Sequence, residues 1–131
     1  MPQTGLGAAL RTLRERSGHS LRRITELTEV DHAYVYRLET GEKTNPSLDL
    51  VQKVLAVLGT QPRENELVAW LVQHPDTDPA LVQYALEDST VDVEIFSAAA
   101  GVRHRGNARP DPETLIARVR RAFAEDDDEE D

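Results

Sequence analysis

His32, Ala33, Tyr36 and Arg37 are spaced so that, on a helix, they share one face with Thr40. That face offers a guanidinium, an imidazole, a phenol hydroxyl and a methyl group. Such groups suit the major groove of DNA, where each base pair shows a distinct pattern of donors and acceptors. Arg37 carries most of the expected chemistry, because a guanidinium can donate two hydrogen bonds to guanine O6 and N7. A phosphate or intramolecular contact is its plainer role. His32 can donate to a base or a phosphate, or simply begin the helix. Ala33 can meet a thymine methyl, or act as a spacer that lets the helix in close. Tyr36 can reach a groove edge or phosphate through its hydroxyl, or be an ordinary amphipathic surface tyrosine. Tyr34 falls nearer the buried side and is expected to pack.

Two short helices must hold that face. Ser20 and Asp31 are N-cap types placed just before apolar-periodic runs, and Gly41 ends the second run. Leu21, Ile24 and Leu27 predict one buried stripe, Val35 and Leu38 predict another, and Val30 plugs the turn between them. An amphipathic helix with Leu6, Leu10 and Leu13 precedes the pair and stops at Gly18. After it, Pro46 and Ser47 open a helix with Leu48, Val51, Val54, Leu55 and Leu58, which Gly59 terminates.

These pieces, LGAALRTLRERSG, SLRRITELTEVDHAYVYRLETGEK and NPSLDLVQKVLAVLG, follow one another without a gap. Residues from about Leu6 to Gly59 thus resemble the Cro/repressor-type (Xre-like) helix-turn-helix family over its whole length of five short helices. The resemblance implies base contacts at His32, Ala33 and Arg37. Tyr36 joins them from its place on the same face. Lys43, Thr44 and Asn45 become candidates to clamp phosphates together with the helix start at Ser47, although so polar a loop can equally be solvated. It further implies a structural ion pair between Arg14 and Glu39 that fixes how two helices cross. Three positions depart from the family pattern. Glu29 stands where glycine is usual, at a cost of about 1 kcal/mol if the backbone there is left-handed. Thr25 replaces an alanine between the helices, and Leu21 replaces a phosphate-reaching glutamine.

A net charge of −9 is unpromising for a DNA binder until it is divided. Residues 1–59 hold eight Lys/Arg against seven Asp/Glu, whereas residues 60–131 hold seven Arg against seventeen acids. The field that matters is local to the recognition surface. With no cysteine, there is neither a disulfide framework nor a thiol metal site. The four histidines are too scattered for a metal site, and no phosphate-binding glycine loop or nucleophile elbow occurs. No cofactor, metal or enzymatic activity is implied. No apolar run reaches transmembrane length, so a cytoplasmic, nucleoid-associated protein without membrane contact is expected.

Residues 60–124 read as further helices: Glu64 to Gln73, Ala80 to Glu87 after an Asp78-Pro79 start, a segment from Val91 to Ala100, and a last helix after Asp111-Pro112. Val91, Val93 and Ile95 alternate like a strand, but Val91, Ile95 and Ala98 also fit helical spacing, and helix is the expectation. Leu67, Trp70, Leu71, Leu115, Val119 and Phe123 are expected to form a dimer or partner interface, although they and their neighbours could equally build a small core. Truncation after Gly59 is then expected to leave a folded or marginal monomer. The seven consecutive acids from Glu125 to Asp131 predict a disordered tail. Such a tail either suppresses non-specific DNA binding by competing for Arg103, Arg105, Arg109, Arg118, Arg120 and Arg121, or only aids solubility.

The expected architecture is all-α: a five-helix Cro/repressor-type domain over residues 1–59, a small helical region over 60–124, and the tail. The expected function is a sequence-specific DNA-binding transcriptional regulator, a repressor that binds a two-fold symmetric operator on double-stranded DNA as a homodimer. The alternative is an antitoxin or partner-controlled adaptor whose C-terminal region binds another protein.

Overall fold

The computed structural model describes residues 3–102 and 110–129, with side chains as far as Asp126. The described residues form eight helices: α1 (Gly5–Ser17), α2 (Leu21–Thr28), α3 (His32–Thr40), α4 (Leu48–Ala56), α5 (Pro62–Gln73), α6 (Pro79–Glu87), α7 (Val93–Ala100) and α8 (Pro112–Glu129). Most begin at a side-chain cap that satisfies an otherwise orphaned N–H. Ser20 Oγ accepts from Arg23, Ser47 Oγ from Leu50, Asp92 from Ile95 and Asp111 from Thr114. Asp92 settles the ambiguous segment: its cap starts a helix, and Val91 stays just outside it, fully buried. Gly18 ends α1 in the left-handed conformation.

Helix α1 is the shared centre. It packs most extensively on α6, on its other sides on α3 and α5, while α7 lies between α5 and α8. One continuous core results, running from Leu6 and Leu13 through Ile24, Val35 and Leu38 to Leu67, Val82, Phe96 and Ile116. Two contacts bring backbones unusually close. A Cβ on Gly5 would lie 2.3 Å from the Thr77 carbonyl oxygen, and one on Gly7 2.6 Å from the carbonyls of Leu38 and Glu39. The first turn of α1 is therefore wedged between the loop before α6 and the last turn of α3. The Leu6 N–H donates to the Pro75 carbonyl at 3.2 Å, and the Thr12 hydroxyl meets the Gln83 side-chain oxygen at 2.9 Å. At the far end of α6, the Arg63 guanidinium donates to the carbonyls of Ala85 (2.7 Å) and Val91 (2.8 Å), placing a cation where the helix dipole is negative.

This packing corrects several expectations. Residues 6–59 hold four helices, and the fifth is α5, beyond Gly59. Leu67, Leu71, Leu115 and Val119 are buried within the single chain, with Trp70 and Phe123 half-buried against the same core. Of the two roles expected for them, these positions serve the core: α5 and α6 pack on α1, and α8 packs on α6 and α7. Leu27 is 41% exposed, since α2 spans barely two turns and its end projects past the core. Helix α8 runs on through Glu129, into the acidic stretch. Gly106, Asn107, Arg103, Arg105 and Arg109 lie outside the described residues, as do Glu130 and Asp131.

A second ion pair joins α1 to the start of α5. Glu64 is buried, and its carboxylate accepts from Arg16 Nη1 and Nη2 (2.5 and 2.8 Å) and from the Gln61 backbone N–H (2.8 Å), the last closing a capping box. The Arg16 hydrogen bonds hold the Glu64 carboxyl below the usual carboxylate range against the opposing effect of burial, with help from the Gln61 N–H. A carboxyl depressed in the folded state stabilises the fold above its unfolded pKa, about 4.3, and that contribution is lost as pH falls through the folded value. Arg16→Met is therefore expected to cost about 1–2 kcal/mol at pH 7, discounted because the Arg16 side chain is 47% exposed. Denaturant titrations at several pH values check this: the gap from the unaltered chain must narrow below about pH 4. A constant gap would mean that Arg16 acts only through packing.

Candidate nucleic-acid interface

Helices α2 and α3 meet through a three-residue turn, Glu29 to Asp31. Glu29 takes φ +66°, the left-handed conformation that glycine adopts at no steric cost, so this position carries a local strain of about 1 kcal/mol. The turn is held by side chains that spend their hydrogen bonds locally. Thr25 Oγ1 donates to the Val30 carbonyl at 2.7 Å, and Thr28 Oγ1 donates to Ile24 and accepts from the Val30 N–H. Thr25 is thus a tie between the end of α2 and the start of α3. An alanine there would lack that bond.

Helix α3 starts at Asp31, whose carboxylate accepts from the Ala33 N–H at 3.2 Å. Val35, Leu38 and Glu39 point inward, and Tyr34 packs half-buried against the core. The opposite face carries His32, Ala33, Tyr36, Arg37 and Thr40. His32, Tyr36 and Arg37 are exposed, Tyr36 by 54%, and Ala33 and Thr40 are half-exposed. Among the described residues Arg37 has no side-chain partner, and the His32 ring lies 3.6 Å from the Asp31 carboxylate. Beside this face an open groove of 610 Å³ is lined by Gln3 and Arg11 and by Tyr36, Thr40 and Glu42.

Gly41, at φ +86°, turns the chain back over the end of α3, and the Lys43 N–H donates to the Arg37 carbonyl at 3.0 Å. Lys43, Thr44 and Asn45 are exposed in the loop that follows, and the Lys43 ammonium lies 5.7 Å from the centre of the Tyr34 ring. Pro46 is buried, anchoring the loop before Ser47 caps α4.

The pose of α3 is set from behind. Arg14 Nε and Nη2 donate to the two oxygens of Glu39 at 2.7 and 2.9 Å, and Arg14 Nη1 donates to the His19 carbonyl at 3.2 Å. Such a side-on bidentate pair fixes direction as well as distance. Gly7 lies directly on the same turn of α3. Reading the sequence alone misses Gly5, Gly7, Arg16 and Glu64. A Gly-x-Gly in the first turn of a helix was the available signal for the first two, since glycine there is costly without a packing reason. Glu64 could be found as the third residue after Gln61, a capping-box spacing, but its partner Arg16 could not.

Residues 5–68 match a family model described as a helix-turn-helix domain. That span takes in α1 to α4 and the first half of α5. Comparison with the curated proteins and with the solved structures found no match. Among the described residues no helix is long and apolar enough to cross a membrane.

Proposed function

We propose that the chain is a DNA-binding transcriptional regulator, a repressor that reads a two-fold symmetric operator as a homodimer in the cytoplasm; the match of residues 5–68 to a helix-turn-helix domain supports the DNA-binding part of this reading. The observation that carries the reading is the outer face of α3. An exposed arginine with no side-chain partner among the described residues stands one turn beyond a histidine and an alanine at the start of a helix held from behind by the Arg14–Glu39 pair. In the major groove Arg37 pairs with guanine, while His32, Ala33 and Tyr36 fill the neighbouring base steps. Lys43, Thr44 and Asn45 meet the adjoining phosphates, supplying affinity rather than sequence choice. The alternative, a partner-controlled adaptor, would use the apolar faces of α5 and α8. Those faces are largely spent inside the chain, which favours the regulator.

The test begins with selection of the bound DNA from genomic fragments, followed by affinity measurements on the selected site and on random duplex. Arg37→Ala is expected to weaken the selected site by about 1–3 kcal/mol and random DNA far less. An equal loss on every sequence would reduce Arg37 to a phosphate contact and leave base reading unsupported.

A further inference from the structure

With α5 and α8 committed to the core, a two-fold DNA complex needs another face for contact between copies. Helix α4 offers one. Leu48, Gln52 and Ala56 fall in a line along its outer side, all exposed, and Leu48 is 41% exposed. With Asn65 of α5 and the buried Leu55 as floor, they line a groove of 180 Å³. The strip is large at its beginning (Leu48), polar in its middle (Gln52) and small at its end (Ala56). Its edge carries Asp49 and Lys53, opposite charges four residues apart, both exposed. That spacing suits an intrahelical pair, yet among the described residues neither is in an ion pair.

Both patterns are self-complementary under a two-fold axis. If two copies of α4 cross antiparallel near Gln52, Leu48 of one enters the space beside Ala56 of the other. The same reversal brings each Asp49 towards the opposite Lys53, and the two Gln52 amides face each other across the axis. An isologous contact requires this arrangement, in which residue i meets j and j meets i. We infer that the outer face of α4 is the site at which a second copy of this chain docks, with Leu48 as knob and the space beside Ala56 as hole. The inference rests on the two-half-site reading above. The strip is smaller than the roughly 800 Å² per partner of stable complexes, so the dimer is weak and concentration-dependent in free solution. Two copies on adjacent half-sites are held at high effective concentration, and the same contact then becomes cooperative binding.

Sedimentation equilibrium of the full chain without DNA tests the interface apart from DNA binding. The expected result is a reversible dimer whose dissociation constant rises about tenfold or more in Leu48→Glu, a surface change that leaves the core intact. Asp49→Lys and Lys53→Asp each put like charges together across the axis, so each alone self-associates more weakly. An equimolar mixture of the two forms heterodimers, in which every Asp meets a Lys. An intrahelical effect cannot produce that restoration. A chain that stays monomeric, or a dimer indifferent to these substitutions, overturns the inference. Dimerisation without DNA binding would leave the interface standing and remove the regulator reading; operator binding by a strict monomer would do the reverse.

Discussion

Glu39→Gln is expected to destabilise the fold by about 3 kcal/mol, although the substitution keeps the side chain's size and shape. Glu39 is only 4% exposed and spends both oxygens on Arg14. Taking the charge from one partner leaves the largely buried guanidinium half-compensated. Breaking a buried pair in this way costs about 3–5 kcal/mol. The lower end applies here, because the Arg14 side chain keeps 16% of its exposure. A control separates the pair's charge from its packing. Arg14→Met combined with Glu39→Leu removes both charges at similar volume, and should recover much of the loss. Chemical denaturation of the three variants checks the ordering. A loss under about 1 kcal/mol in Glu39→Gln would mean that water already solvates the pair. DNA affinity should fall in the double variant even where stability recovers, because an apolar contact lacks the direction of a bidentate pair and α3 gains freedom to tilt.

A fragment ending at Gly59 is expected to lose cooperative folding altogether. It contains every candidate DNA contact, yet lacks α5 and α6, the helices that cover one side of α1. Its loss would expose leucines such as Leu6 and Leu13, both fully buried in the whole chain. Each such exposure costs about 1.5–3 kcal/mol, and a domain has only about 5–15 kcal/mol in total. The Thr12–Gln83 contact, the Leu6–Pro75 hydrogen bond and the Arg16–Glu64 pair would go at the same time. The fragment should show weak helical circular dichroism and no thermal transition, while the full chain melts cooperatively. A fragment that melts near the full chain's temperature would show that the C-terminal helices are an appendage. The expectation of a folded or marginal monomer from residues 1–59 treated those helices as a separable module. Their position on α1 makes them its cover.

The local elements were legible from the chain itself. Caps such as Ser20, Asp31, Ser47 and Asp111 act within three residues of themselves, and Gly18 and Gly41 end helices by their own backbone freedom. The outward face of α3 follows from its period once Val35 and Leu38 are placed inside. These features depend on neighbours in sequence, so sequence contains them. The destination of the remaining apolar faces was not legible, since Leu67, Leu71, Leu115 and Val119 present the same periodic stripe whether they meet a second chain or their own. Only the tertiary arrangement decided that α1, apolar on two sides, takes α3 on one and α6 on another. It likewise paired Arg16 with Glu64, 48 residues away, and brought two glycines against distant carbonyls. Contacts of that kind are selected by shape and by the need to exclude water over the whole assembled core, a condition that no single segment carries.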